Sequence, residues 1–268
     1  MKPSIWLVAV RVLCMGLLVL LLGACGDEQE TSPTAESETP STPVPAPQTA
    51  YLMAAGGGVQ VSDALSELDV GDALSNDQSI TVAAGSFADV QFGSRAVARL
   101  FGAASASVRL ASDEAHSHME LILERGSVAV TVEPLAAGEV FVVQTPVARY
   151  RVIGTRFFVS TGDREQVAVS EGRVTVLPPS LRIPDFLASP AAEDAAVREA
   201  LAALEDTAPR VEAGEQATIN PEAMEESEKL ALQLAEKLRQ IEAAQPTRRP
   251  SLVDELLDLT LNYRQSGH

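Results

Sequence analysis

Between Tyr51 and Ser180 apolar side chains recur at every second position. The runs Val128-Ala129-Val130-Thr131-Val132, Val140-Phe141-Val142-Val143, Val147-Ala148-Arg149-Tyr150-Arg151-Val152, Arg156-Phe157-Phe158-Val159 and Val167-Ala168-Val169 alternate apolar with small or polar residues. That is the period of a strand with one face buried. Glycines punctuate the runs at Gly85, Gly93, Gly102, Gly126, Gly138, Gly154, Gly162 and Gly172. Short strands separated by glycine turns predict an all-β core, either a twisted antiparallel sandwich or a solenoid-like coil. Nothing in this region keeps a helical period long enough to supply the crossover helices of a parallel α/β sheet.

From Pro184 onward the pattern becomes helical. Ser189-Pro190 reads as an N-cap followed by proline in the first turn, opening a helix over residues 192–206 with Val197, Leu201 and Leu204 on one side. Residues 210–219 return to strand, turn, strand. Asn220-Pro221 opens a second helix carrying Leu230, Leu234, Leu238 and Ile241. Residues 246–250 break it, and Ser251 with Asp254 has the spacing of a capping box. The last helix places Leu252, Leu256, Leu259 and Tyr263 on one face, with Val253, Leu257 and Leu261 nearby. These stripes predict burial against the β core or against each other; a projecting stripe over 252–263 would instead be a helix-in-groove ligand for an envelope partner. The many acidic and few basic residues of these helices argue against membrane insertion.

The first 50 residues have neither pattern. Residues 12–25 form a short apolar run that ends in small residues and Cys25, preceded by Lys2 and Arg11 and followed by an acidic, proline-rich stretch. This is the charge order of a cleavable secretory signal. Leu22-Gly23-Ala24-Cys25 resembles a bacterial lipobox, which implies acylation of Cys25 as the mature N-terminus and places everything after it outside the cytoplasm. An uncleaved membrane helix over residues 5–24 is the alternative, but it would bury Arg11. In either case the expectation is that no cytoplasmic domain precedes the apolar run. Gly26 rather than Asp after the cysteine, in the manner of known lipoproteins, weakly favours the outer membrane over the inner. Residues 26–50 hold five prolines and no basic residue, too few apolar groups to offset the entropy of ordering. They predict an extended tether that reaches up to about 75 Å in a polyproline-like state.

Composition narrows the chemistry. The formal net charge is −17, which disfavours nucleic acid and anionic membrane surfaces, since both require clustered Lys and Arg. The two cysteines are Cys14, within the signal, and Cys25, at the anchor. The folded part therefore has no disulfide, thiol nucleophile or cysteine metal site. His116 and His118, with Asp113, Glu114 and Glu120 nearby, are weak candidates for a divalent metal site; the plain alternative is a solvated polar loop between Leu110 and Leu121. No glycine-flanked serine elbow accompanies the histidines. Gly56-Gly57-Gly58 lacks a following lysine and reads as a hinge.

Four blocks carry a family resemblance: Leu123-Glu124-Arg125-Gly126-Ser127-Val128, Phe141-Val142-Val143-Gln144-Thr145-Pro146-Val147-Ala148, Val152-Ile153-Gly154-Thr155-Arg156-Phe157-Phe158-Val159, and Val167-Ala168-Val169-Ser170-Glu171-Gly172-Arg173-Val174-Thr175-Val176. In this order they are similar to the FecR domain family. Residues 70–74 and 88–93 fit the family's opening strands loosely, and Glu212-Ala213-Gly214-Glu215-Gln216-Ala217 resembles its closing block, which would make residues 181–208 a helical insertion. Each block also has a physical reading. Gly154 lets a strand bend or bulge, Thr145-Pro146 ends a strand where a missing N–H is tolerated, and Glu171-Gly172 has the form of a hairpin turn. Phe157 is expected in the core, Arg156 is expected to pair with an acidic neighbour, a ligand contact being the alternative, and Gly126 and Thr155 complete the motif positions. All of these specify shape rather than catalysis.

The resemblance also has a boundary. Iron-responsive FecR regulators join a cytoplasmic anti-sigma segment, a membrane helix, the periplasmic FecR domain and a small signalling domain. This chain carries a lipobox-like segment in place of the first two and amphipathic helices in place of the last, so direct contact with a sigma factor is not expected. The reading is a signal over residues 1–24, a tether over 25–50, a FecR-like β domain over 51–220 and amphipathic helices over 221–268. It implies a non-enzymatic, lipid-anchored periplasmic module for envelope signalling or protein interaction, with no cofactor and an envelope protein or glycan as partner. A structural scaffold binding cell-wall glycan is the main alternative, and a metal-dependent enzyme the lesser one.

Overall fold

The computed structural model describes residues 49–61, 69–112, 117–136, 138–182 and 190–265. Cys25, the apolar leader, nearly all of the tether, His116 and Ser189 lie outside the described residues. Among the described residues no helix is long and apolar enough to cross a membrane.

The period-two runs form strands of one 14-stranded sheet. In chain order they are β1 (Ala50–Gly56), β2 (Val59–Val61), β3 (Ala73–Leu74), β4 (Ser79–Val82), β5 (Phe87–Phe92), β6 (Ala96–Ser112), β7 (Ser117–Val132), β8 (Glu139–Gln144), β9 (Arg149–Val152), β10 (Thr155–Ser160), β11 (Glu165–Glu171), β12 (Arg173–Leu177), β13 (Arg210–Glu212) and β14 (Gln216–Ile219). Among the described residues, α-helices follow β12 and β14: α1 (Ala195–Thr207) between β12 and β13, then α2 (Pro221–Ala243) and α3 (Arg249–Gln265).

The sheet is folded over on itself, and the long hairpin β6–β7 is where it folds. Its pairing runs from Ala96↔Val132 to Phe101↔Ser127, breaks at a bulge, and resumes from Ser105↔Arg125 to Ser112↔Ser117. Before the bulge β6 pairs with β5 and β7 with β10; beyond it their neighbours are β4 and β8. One layer is thus β3-β1-β5-β6-β7-β10-β11-β14, the other β2-β4-β6-β7-β8-β9-β12-β13. Phe92 of the first layer meets Phe141 of the second edge-on, with ring centroids 5.1 Å apart. The inward residues of both layers make one apolar core, as the alternation requires.

The chain crosses between layers at corners occupied by glycines: Gly57, Gly85, Gly102 and Gly126 along one edge, Gly154, Gly172 and Gly214 along the other. Gly126 shows why. Its φ is +95°, and a Cβ there would stand 2.5 Å from Ala104 Cα on the neighbouring strand, closer than non-bonded carbons can approach.

Two departures from the expected β pattern follow. Glu171-Gly172 is not a hairpin: β11 pairs with β10 and β14, β12 with β9 and β13, and the glycine turns the chain from one layer to the other. A hairpin turn and a layer corner both favour a glycine at positive φ, so alternation and glycine alone do not separate them. The sheet is also mixed. After β7 the chain starts β8 beside the beginning of β7, in parallel register from Ser117↔Glu139 to Ile122↔Gln144. This is one solenoid-like coil within a sandwich.

The helical stripes are buried. Val197, Leu201 and Leu204 of α1, Leu234 and Ile241 of α2, and Leu252, Leu256 and Tyr263 of α3 form a second apolar cluster that also takes Leu177 and Leu181 from the end of β12. Each fully buried leucine contributes about 1.5–3 kcal/mol relative to exposure. Two polar ties reinforce the join to the β core: Glu228 of α2 accepts from Ser180 N at 2.9 Å and from its hydroxyl, and Glu205 of α1 pairs with Arg151 of β9. Burial and the Glu228 charge push the Tyr263 phenol up to about 12. The caps differ from expectation at two helices. Asp194 caps α1 by accepting from Ala196 N at 2.9 Å, because a short 3-10 turn at Pro190–Glu193 takes up the residues after Ser189. Helix α3 already begins at Arg249, so Ser251 sits inside it and donates to Arg248 O at 3.2 Å instead of forming the capping box.

Candidate functional site

Apart from Gly126, which sits at the β6–β7 bulge against Ala104, the motif residues gather at two places. At the corner formed by β10, β11 and β12, Gly172 has φ +75°, and a Cβ on it would overlap the Gly154 carbonyl oxygen and lie 2.9 Å from Thr155 Oγ1. Thr155 donates its hydroxyl to Arg173 O at 2.9 Å, and Ser170 donates to Arg156 O at 3.0 Å. Arg156 pairs with Glu171 at 2.9 Å, both side chains being more than half exposed, where an ion pair adds little stability. Gly154 leaves room for the backbone at Pro134, since a Cβ would stand 3.1 Å from Pro134 Cα. Phe157 points into the core, 3% exposed. This corner locks the third and fourth sequence blocks together.

The second place is the turn between β8 and β9. Thr145 Oγ1 accepts from the backbone N–H groups of Val147 and Ala148 at 3.2 and 3.0 Å, shaping a turn in which Pro146 faces solvent. Its hydroxyl donates to Glu165 of β11, 2.7 Å away, and Tyr150 of β9 donates to the same carboxylate oxygen at 2.5 Å. A carboxyl is thus held between the layers by hydroxyl groups. Burial raises the Glu165 carboxyl above the usual carboxylate range, against the opposing effect of the two hydrogen bonds. Burial and the neighbouring carboxyl raise the Tyr150 phenol as well.

A third polar group lies on the outer side of the β8–β9 layer. Glu120 of β7 and Arg149 of β9 are both 1% exposed and 2.7 Å apart. Arg109 reaches the other Glu120 oxygen at 3.3 Å and Asp77 at 3.1 Å, and Arg182 stands 3.9 Å from Glu120. Gln144 accepts from Arg149 at 2.6 Å. His118 is half-buried two residues ahead of Glu120 on β7. Among the described residues no group of three His, Cys, Asp or Glu side chains is placed to hold a metal ion. One cleft of about 390 Å3 lies among the helices, lined by Asp194, Ala196, Pro246, Arg249, Val253 and Leu257, far in sequence from the motif blocks. The polar groups at the motif positions are directed at each other and at the backbone, an arrangement that fixes shape.

Glu165, Tyr150 and Arg149 were not among the expected site residues, and Glu120 was named only as an oxygen donor beside His116 and His118. Glu165 was legible by parity, being in phase with core residues Val167 and Val169. The ion pairs of Glu120 had no such signal, because its partners Arg109, Arg149 and Arg182 are distant in sequence.

Comparison with known proteins agrees with this geometry. Residues 78–175 match the family model described as FecR protein, a span that includes both motif clusters. No curated protein matches the chain. Two crystal structures of a candidate anti-sigma factor from Parabacteroides distasonis ATCC 8503 are similar at 20% and 17% identity, over 53% and 55% of this chain and 55% and 53% of those chains, with TM-scores of 0.37 and 0.32. The chain therefore spans about half the length of those structures, and at these scores the likeness adds nothing to the fold described above. Residues 78–175, from the approach to β4 through the motif corner to β12, are a FecR domain.

Proposed function

We propose that this chain is a regulatory module of the bacterial envelope, acylated at Cys25, facing the periplasm and working by protein interaction without catalysis. The observation that carries this reading is the FecR domain at residues 78–175, downstream of the lipobox-like Leu22-Gly23-Ala24-Cys25 and an acidic, proline-rich stretch. The motif side chains support it: Thr145, Thr155, Arg156 and Glu171 are engaged in holding layers and corners together. The tether would let the domain range away from the membrane that holds Cys25, with the outer membrane favoured by Gly26. Anchored at Cys25, the domain would reach a transcriptional response through an envelope partner and have no contact with a sigma factor itself.

The test is transcriptional. A deletion strain should show altered levels of a defined set of transcripts, restored by the native chain and not by a Cys25→Ser form released from the membrane. A deletion profile indistinguishable from the parent would remove the regulatory reading.

A further inference from the structure

Exposed apolar side chains concentrate at one place. Among the described residues seven large ones stand well exposed, and four of these, Tyr51, Met53, Val70 and Val97, lie at the β1 end of the β1-β5-β6-β7 layer. The other three are dispersed, Ile153 at the motif corner, Leu232 on α2 and Leu261 on α3. We infer that the β1 end of this layer docks an apolar segment bearing Lys or Arg, supplied by a protein partner.

Strand register brings the four together. Tyr51 of β1 is opposite Gln91 of β5, and Gln91 is opposite Val97 of β6, so these three side chains form one row on the outward face. Gln91 is held along its own strand, donating to Gly93 O at 2.8 Å. Met53 follows Tyr51 by two residues and points to the same side of β1. Val70 reaches the β1 edge because the turn over 69–72 is tied there: Gly71 N donates to Leu52 O at 2.7 Å, and Leu52 N donates to Asp72 O at 3.0 Å. Tyr51, Val97, Met53 and Val70 are 38, 41, 46 and 57% exposed. Single exposed apolar residues are ordinary on a protein surface, whereas grouped ones mark an interaction site.

The charges beside the patch select the occupant. The two arginines flanking Val97 are already paired: Arg99 is held bidentate by Asp89 through two contacts of 2.7 Å, and Arg95 donates to Pro134 O at 2.6 Å and stands 3.9 Å from Glu139. Asp72 accepts from Asp69 N at 2.9 Å, and among the described residues neither aspartate of this turn has a cation within ion-pair distance. The local surplus is therefore negative, in a chain of net charge −17. A second copy would bring the same aspartates and the same net charge to the contact, and an anionic lipid surface would be repelled. A segment with apolar anchors and flanking Lys or Arg complements both the patch and the turn. Four side chains make a small contact, of the size found in weak, transient complexes. The inference rests on the protein-interaction reading above and gives it a contact face; binding is measured on the purified chain and transcripts in cells, so either can fail without the other.

The test uses the full chain and a decapeptide of alternating lysine and leucine, with decalysine as the charge control, followed by fluorescence anisotropy and NMR shift mapping. The native chain binds the alternating peptide about 10-fold more tightly than decalysine, with shifts confined to β1, β5, β6 and residues 69–72. Met53→Gln together with Val97→Thr keeps side-chain shape but removes the apolar surface, and weakens binding about 10-fold. Asp69→Asn also weakens it and flattens its salt dependence, while Leu232→Ser on the exposed side of α2 leaves it unchanged. Equal binding of decalysine, or undiminished binding by the double variant, overturns the inference. So does a native chain that sediments as a dimer and becomes monomeric in the double variant, since a second copy would then hold the face. Binding to phosphatidylcholine vesicles that the double variant loses overturns it likewise, in favour of a lipid surface.

Discussion

Gly172 lies directly against the carbonyl of Gly154, so that two glycines from separate sequence blocks form one corner between the layers. The chain supplies its own controls for what that contact is worth. Gly162 stands in open space with no positive φ, Gly214 has open space but φ +85°, and Gly172 has both φ +75° and the overlap. Substitution by alanine is expected to be neutral within about 0.5 kcal/mol at Gly162. It should cost about 1 kcal/mol at Gly214 and about 2–4 kcal/mol at Gly172, where strain and overlap add. Urea unfolding of the three variants gives the order, and an equal cost at Gly172 and Gly214 would show that the approach to Gly154 is not tight.

Glu165 makes stability depend on pH. Its carboxyl is raised by burial, so the folded chain holds this proton more tightly than the unfolded chain does. The stabilisation linked to that proton is complete below the unfolded value of about 4.3 and is lost as pH rises through the folded value. Glu165→Gln keeps an acceptor for Tyr150 and Thr145 without the titration. Its stability relative to the native chain should therefore increase between pH 4.5 and pH 8 in urea midpoints. A gap that does not change with pH contradicts the burial argument.

Glu120 and Arg149 form a buried pair, and buried pairs are costly to break from one side. Glu120→Ala leaves Arg149, 1% exposed, without the carboxylate it meets, at a cost of about 3 kcal/mol. Replacing both, as Glu120→Leu with Arg149→Met, should recover at least half of that cost. Additive losses in the double-mutant cycle would mean the two side chains do not depend on each other.

Strand positions were readable because a two-residue period fixes which side chains face inward, and the end of β7 from Val128 and strands β8 through β12 fall where the alternation put them. Residues 117–120, offered as part of a solvated loop, instead begin β7 with Ser117 and Glu120 buried. Their partners were not readable. The strand pattern of 165–176 is the same whether Gly172 makes a hairpin or a corner, and only long-range pairing to β9, β10, β13 and β14 decides it. The parallel join of β7 to β8 is hidden for the same reason, since antiparallel and parallel strands with one buried face share one alternation. Helix existence followed from the leucine spacing, while the start of α3 shifted because Arg249 and Pro250 join the helix ahead of Ser251. The blocks around Thr145 and Gly154 marked where the motif clusters would lie. Glu165 could have been placed beside them by parity, whereas the Glu120 cluster depends on contacts between residues up to 62 positions apart, Glu120 and Arg182.

The account turns on Cys25, and the most direct measurement is the intact mass of the native protein with membrane fractionation, beside Cys25→Ser. A mature chain that begins at an acylated Cys25 and sediments with membranes, with the variant left unprocessed or released, is the predicted result. A native chain that retains residues 1–24 and is held in the inner membrane would contradict it, leaving the FecR domain in place but removing the lipid anchor.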